Sequence, residues 1–294
     1  MTAAAAARPA RPSSAKRNAT LVGAALVAGW ALLTVGIDAG RILELPGGIA
    51  TVFYEMFLAD GVEWPYLGEA VRYMVESLQI AWIGTVIGAV ISLPLGFFGA
   101  RNVSSGIVSG AMRQLLNAIR AFPEIILAIA IFIPIAGLGP VAGALTVGLH
   151  SVGTLGKLTA EVIEGIDAGP VEAARATGAR PLQIQRWGVL PQVLPEIVAF
   201  WLYRFEINIR AAAVLGVVGA GGIGFVLQQA ISFGRFPRAG VIIIVVIVAT
   251  ILVDTISGWV RRRIIEGTSA RAPVGEELEQ PELAEAHPAS VERP

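Results

Sequence analysis

The sequence predicts an all-α, polytopic membrane protein with six transmembrane helices, and three observations carry that prediction. Hydrophobic residues make up 55% of the 294-residue chain and charged residues only 15%, well below the roughly 25% of a soluble domain. The apolar residues gather into runs long enough for helices to cross a hydrocarbon core of about 30 Å, which takes about 20 residues each. The remaining charges collect between those runs with a sidedness that can be read. A formal net charge of zero excludes a strongly basic nucleic-acid binder. The absence of Cys excludes disulfides and thiolate chemistry. With His150 and His287 as the only histidines, a multi-His metal site within one chain is excluded as well.

The elements follow in order. Residues 1–20 hold Arg8, Arg11, Lys16 and Arg17 among Ala, Pro and Ser, without an acid, and read as a disordered basic cytoplasmic tail. The first span, 21–37, is longer than the ~7–15-residue apolar core of a cleavable signal, so it is expected to stay in place. Residues 38–76 carry Asp38, Glu44, Glu55, Asp60, Glu63, Glu69 and Glu76 against Arg41 and Arg72. Together, 21–76 form a first span and an external acidic segment. The core, 77–265, holds further spans at 77–99, 115–136, 139–163, 190–212 and 239–260. Arg101 and Arg113, the loop 164–189 with Arg175, Arg180 and Arg186, and Arg261 to Arg263 fall on the cytoplasmic side of this plan, as the excess of basic residues in cytoplasmic loops requires. The glycine-rich stretch 213–228 reads as a helix broken by glycines that dips into the protein, because non-helical backbone at membrane depth must be covered. Residues 266–294, with Glu276, Glu277, Glu279, Glu282 and Glu285 among prolines, read as a disordered acidic cytoplasmic tail. Both termini are then cytoplasmic.

Two motifs imitate nucleotide sites. Gly219, Gly221 and Gly224 satisfy G-x-G-x-x-G, but the acid needed about 20 residues further on is replaced by the apolar run 239–248. Gly219, Gly221, Gly222 and Gly224 are instead expected to form a close-packing segment. Around Gly156-Lys157 neither the first glycine nor the following Ser or Thr of a P-loop is present. The chain is expected to bind no nucleotide, metal or cofactor of its own. No nucleophile-and-base pair points to catalysis.

The loop between the fourth and fifth spans is more informative. Pro170 suits the first turn of a helix, with Glu172 placed favourably against its positive end. Gly178 stops that helix, and Pro181 opens a second. Glu172-Ala173-Ala174, then Gly178, then Leu190-Pro191 resemble the coupling-loop pattern E-A-A-x3-G-x9-I-x-L-P of bacterial ABC importer permeases, with Gly188 where the pattern usually has Ile. The segments 77–102, 120–124, 149–157, and 208–210 with 214–224 resemble the phosphonate-importer permeases, whose fold is shared by the methionine-importer permeases.

That resemblance implies a membrane-spanning, non-enzymatic permease subunit of an ATP-driven importer in a bacterial inner membrane. Its solute would be a phosphonate, phosphite or phosphate, delivered by an external solute-binding protein. The partners implied are a dimer of ABC ATPase subunits, which bind the ATP, docked at the coupling loop; a second copy of the chain; and the lipid bilayer. Nucleic acid is not among them. Charges inside a bilayer are costly and functional. Arg204, Arg210 and His150 are therefore candidates for the path of an anionic solute, since the guanidinium fork suits phosphorus oxyanions. Arg204, Glu206 and Arg210 are placed at the outer end of the fifth span, close enough along one helix to pair with one another. Two alternatives stand beside this reading: an importer permease for methionine or another small solute, and a secondary transporter driven by an ion gradient, which would show repeated halves or paired broken helices.

Overall fold

The computed structural model describes residues 14–36 and 39–269, and all regular structure among them is helical. The chain divides between Val62 and Glu63 into two units. The expected tails lie largely outside the described residues, but their inner ends are helical. Helix α1 spans Ser14–Thr34, so Lys16 and Arg17 continue the first apolar helix by nearly two turns. The second helix, α2, spans Ala39–Phe57, within what the sequence presented as an acidic segment. Ile42, Leu43, Leu45, Ile49, Val52 and Phe53 give it an exposed apolar surface. Pro46, Gly47 and Gly48 hide that helix in the sequence, because they are poor helix-interior residues.

The second unit opens with a 3-10 turn, Trp64–Tyr66, and the 33-residue helix α3, Leu67–Gly99. The helix therefore starts at residue 67, where the sequence placed the start of the span at 77. The expected single span 115–136 is not one rod. Helix α4, Gly106–Ala121, and the rod Glu124–Ala136 meet at an angle of 87°. Pro123 is the cause, because the residue before a proline is pushed out of the helical region; Phe122 has φ −82° and ψ 124°. The second rod consists of α5, Glu124–Leu127, a π-widened turn, Ala128–Phe132, and α6, Ile133–Ala136.

Helix α7, Pro140–Glu164, runs parallel to α3, and small residues bring the two together. A Cβ added at Gly84 would lie 2.9 Å from Val147 Cγ1, one at Gly88 2.5 Å from Ser151 Cβ, and one at Gly96 2.6 Å from Thr159 Cβ. Helix α10, Leu190–Gly216, returns antiparallel. Ile80, Ala144 and Ala212 join the three helices at one level. Ala100, Ala160, Ile163, Val189, Val193 and Ile197 join them at the end where the loop to α10 leaves.

A tight glycine loop and α11, Ile223–Ser232, lead to α12, Phe236–Ser269, so stretch 213–228 is indeed a helix interrupted by glycines. Among the described residues, two helices combine the length and apolarity to cross a membrane, Trp64–Gly99 and Phe236–Ile264; there are three if the bent pair counts as one span. Helices α1, α7 and α10, where three further spans were expected, are long enough but less apolar. In α7 and α10 part of the lost apolarity is buried Gly, Ser and Thr and, on α10, Arg204, Glu206 and Asn208.

The start of α12 is tied to the start of α3. Arg238 Nε donates to both carboxylate oxygens of Glu63, at 2.9 and 2.8 Å, and its guanidinium lies 5.0 Å from the ring centre of Tyr66. The hydrogen bond from Arg238 holds the Glu63 carboxyl below the usual carboxylate range. A carboxyl whose value is lowered on folding contributes stability above its unfolded value, near 4.5, and that contribution is lost as the pH falls through the lowered folded value. The pair is part-exposed, so about 1 kcal/mol or less is at stake. The expected result is that Glu63→Gln lowers thermal stability slightly at neutral pH. The unfolding temperatures of variant and wild type should converge as the pH falls below 4.5 and through the lowered folded value, and an equal difference at every pH would contradict the pairing.

Candidate functional site

Local sequence builds the loop 164–189 into two short helices. Asp167 caps α8, Ala168–Ala176, by accepting from the Gly169 N–H at 3.0 Å, so the helix begins two residues before Pro170. Gly178 ends it with φ +74°, which L side chains rarely adopt, and its N–H donates to the Arg175 carbonyl at 2.9 Å. Pro181 opens α9, Pro181–Ile184, where the Arg180 N–H donates to Gln183 Oε1 at 2.8 Å. A π-widened turn, Gln185–Val189, then feeds α10 at Leu190-Pro191. Glu172 and Ala173 are exposed, and Ala174 is half-buried. Leu182 and Trp187 are 83% and 69% exposed. The side chains of Glu172 and Arg175 have no hydrogen bond or ion pair to the rest of the protein among the described residues. They line a cavity of about 230 Å³ together with Asn102, Val103, Val171 and Gln185.

The loop is braced at both ends by one side chain. Gln192 Oε1 accepts from the Asp167 N–H at 3.1 Å, while Nε2 donates to the carbonyls of Asp167 and Gly188 at 3.2 and 2.6 Å. Gly188 has a structural reason to depart from the usual Ile: a Cβ there would sit 3.2 Å from Val171 Cα and 3.3 Å from the Pro170 carbonyl oxygen. Its absence lets the π turn press against α8. The foot of α7 is held too. Glu164 Oε1 accepts from the Arg101 N–H at 2.6 Å and forms an ion pair with Arg113 Nη2 at 2.6 Å, and Asn102 Nδ2 donates to the Ile163 carbonyl at 2.6 Å. Burial pushes the Glu164 carboxyl up, but the Arg101 N–H and the Arg113 guanidinium outweigh it and hold it low. Gln192→Leu removes three hydrogen bonds, about 1–2 kcal/mol of bracing in this part-exposed setting. The expected result is a normally inserted protein whose unfolding temperature in detergent is lower; an unchanged unfolding temperature would remove the bracing role.

A second site lies near the middle of the long helices. Arg204 on α10 is 6% exposed. Its Nη2 donates to Glu124 Oε1 at 2.9 Å, its Nε donates to Ser151 Oγ at 2.9 Å, and Nη2 lies 2.8 Å from His150 Nδ1. His150 Nδ1 is also 2.7 Å from Glu124 Oε1. The ring nitrogen cannot accept from arginine and donate to the carboxylate with one atom. Donation to Glu124 satisfies the charged acceptor, which then takes two hydrogen bonds. The chain continues inward: Asn208 Nδ2 donates to Ser151 Oγ at 3.0 Å and to Thr85 Oγ1 at 2.8 Å, and the Thr85 hydroxyl donates to the Ala81 carbonyl at 2.7 Å. Thr85, Ser151, Arg204 and Asn208 are buried, as a polar network inside an apolar bundle must be if every group is to be satisfied.

Residues 204–210 therefore do not pair with one another. Glu206 meets Arg261 at 3.2 Å, and Arg210 meets Asp254 at 2.9 Å. The stretch begins at the middle of α10, where the sequence placed it at that span's outer end, with Glu206 and Arg210 beside Arg261 and Asp254 of α12. Glu206 and Arg210, four apart, share the face of α10 that meets α12, while Arg204, two residues before Glu206, faces Ser151 and Glu124. Sequence reasoning singled out Arg204 and His150 but missed Ser151, Asn208, Thr85 and Gln192; polar residues isolated within apolar helices were the available signal.

The glycine segment makes close contacts with α3 and α7. Gly222 combines φ +73° with a hypothetical Cβ only 2.3 Å from Ser77 Oγ. Its N–H donates to Glu76 Oε1 at 2.9 Å, and the Ile223 N–H donates to Ser77 Oγ at 2.8 Å, so α3 caps the start of α11. Gly219 and Gly221 also have positive φ, and the Gly219 carbonyl accepts from the Gly139 N–H at 2.9 Å.

An all-helical bundle presenting an exposed, braced E-A-A-x3-G loop defines the class of membrane subunits that serve binding-protein-dependent transport. Residues 92–266 match the family described as binding-protein-dependent transport system inner membrane component, and the chain belongs to it. The chain is 41% identical over 246 residues to the phosphite transport system permease protein PtxC of Stutzerimonas stutzeri, covering 83% of this chain and 87% of that one. It is 45% identical over 117 residues to the putative cryptic phosphonate transport system permease protein PhnE2 of Escherichia coli K12, covering 40% of this chain and 96% of its relative. In fold it resembles a chain from the MetNI methionine ABC transporter, crystallised in inward-facing conformations, with a TM-score of 0.61 at 23% identity over 68% of this chain and 98% of the other.

Proposed function

We propose that this chain is the permease subunit of an ATP-driven importer for a phosphorus oxyanion, phosphite or a phosphonate with phosphate as the near alternative. The observation that carries the reading is the 41% identity to a phosphite permease across most of both chains. An external binding protein delivers the solute. Two ATPase subunits bind and hydrolyse the ATP and grip the loop at Glu172, Ala173, Ala174 and Gly178, whose connection to the bundle passes through Leu190 and Pro191. A second copy of the chain completes a two-fold pathway, since closed two-fold assemblies are the commonest way to build a symmetric pore from one chain. Six spans place both termini, and the loop, in the cytoplasm of a bacterium. Arg204, His150 and Arg210 lie on the solute's path. The chain itself performs no covalent chemistry; it alternates between outward and inward openings.

The test is uptake of labelled phosphite and labelled 2-aminoethylphosphonate by cells with and without the chain, with unlabelled phosphate and methionine as competitors. Chain-dependent, ATP-dependent uptake that resists methionine is the expected result. Chain-dependent methionine uptake without either phosphorus solute would overturn the assignment.

A further inference from the structure

The cluster around Arg204 carries an inference that rests on the proposed solute class and deepens it. Arg204 stands near the midpoint of α10, and His150 and Ser151 stand near the midpoint of α7, so the group lies far from either end of the bundle. The guanidinium has one nitrogen on Ser151 and one on Glu124, and Nη1 has no protein acceptor among the described residues. A planar fork with donors to spare is the geometry that recognises two oxygens of one anion. Access is lopsided: the Arg204 side chain is 7% exposed, while those of Glu124 and His150 are 21% and 18% exposed. An anion approaching from the open edge therefore meets the carboxylate before it meets the arginine.

Glu124 is also the part of the cluster built to move. It is the first residue of α5, directly after the 87° elbow at Phe122-Pro123, and a π-widened turn follows it. Arg204, Ser151 and Asn208 instead sit in the regular interiors of α10 and α7. A carboxylate presents the same two-oxygen, singly charged edge as a phosphite or phosphonate monoanion, so exchanging one for the other leaves the charge of the buried group unchanged. Removing either anion without replacement would leave a buried arginine unpaired, which is costly.

We propose that Arg204, with Ser151 and His150, is the oxyanion-recognition point of the translocation path, and that Glu124 is its built-in counter-anion, released from Arg204 as the solute's oxyanion takes its place. The resting carboxylate holds the path shut to other ions, and its displacement swings the rod Glu124–Ala136 about the elbow. Arg210, paired with Asp254 at an exposed position, is outside this exchange.

The experiment measures binding of phosphite, 2-aminoethylphosphonate, phosphate, sulfate and methionine to the purified permease and ATPase complex in nanodiscs, without binding protein, by calorimetry. If free Arg204 is available about one tenth of the time in the wild type, Glu124→Gln tightens phosphorus-oxyanion binding about tenfold, because a site's apparent affinity scales with the fraction of it that is competent. Arg204→Lys, which keeps a cation beside Glu124 but loses the fork, weakens it by at least about tenfold. Methionine binding is unmoved by either change. Equal or weaker oxyanion binding in Glu124→Gln, or no binding in any variant, overturns the exchange while leaving the solute assignment to the uptake assay. Tightening for sulfate as strong as for phosphite supports the exchange and denies the site selectivity among oxyanions. Absence of phosphorus uptake in wild-type cells overturns the solute reading, and the exchange then falls only if Glu124→Gln also fails to tighten any oxyanion.

Discussion

Glu172→Lys is expected to abolish uptake while the protein still inserts and folds. Glu172 is exposed and has no partner within its own chain among the described residues, so reversing its charge breaks nothing inside the permease. An acid left unpaired on a loop that is braced from both ends by Gln192 is suited to a contact outside the chain. Placing a cation where an interface expects an acid costs several kcal/mol. A loss of about 3 kcal/mol weakens docking by more than about a hundredfold, enough to empty the interface at ordinary concentrations. The measurement pairs uptake in cells with co-purification of the ATPase. Loss of both with unchanged membrane abundance is the expected result, and normal uptake would deny the loop its docking role. Arg175→Ala, on the same face, should act in the same direction with a smaller effect.

Gly224→Ala is expected to cost the folded protein outright. A Cβ at Gly224 would lie 1.8 Å from the Ala213 carbonyl oxygen and 2.9 Å from its carbon. Both atoms are backbone, so neither can swing away as a side chain would. Opening α10 from α11 by the missing ångström also pulls Gly222 and Ile223 from Glu76 and Ser77. The combined effect is about 4 kcal/mol or more, in the range reached only by gross steric conflict or loss of a buried network. The check is the unfolding temperature and yield in detergent, beside Gly110→Ala, whose Cβ meets nothing within 4 Å. That control, within α4, should be neutral or more stable by up to about 1 kcal/mol. Similar behaviour of the two variants would mean that the tight contact at Gly224 is absent in the membrane.

Features written in neighbouring residues were legible in advance. Proline and glycine mark the two short helices of the loop, and the run of glycines at 219–224 marks a tight backbone turn. The partners of that motif were not legible, because Glu76 and Ser77 lie far upstream and only the folded chain brings them to Gly222. The same is true of Arg204. Its charge and burial were suspected, but the sequence suggested pairing along α10, and the structure pairs it with Glu124, from a helix far earlier in the chain. The elbow at Phe122-Pro123 was an avoidable loss, since the proline was in view and the backbone rule that bends the chain there is local. Helix α2 was hidden by composition: Pro46 and the adjacent glycines outweighed an apolar stripe.

The glycine-lined seam between α3 and α7 has a mechanical meaning. With Gly84, Gly88 and Gly96 pressed against Val147, Ser151 and Thr159, neither helix can slide or roll past the other without backbone collision. Packed interiors of this density are stiff and transmit strain. The two rods therefore act as a single mast, clamped at its foot by Glu164 to the Arg101 N–H and Arg113 and continuing through Asp167 into the loop 164–189. A displacement of that loop would be carried along the mast with little slippage, which leaves the elbow at Pro123 as the place to bend.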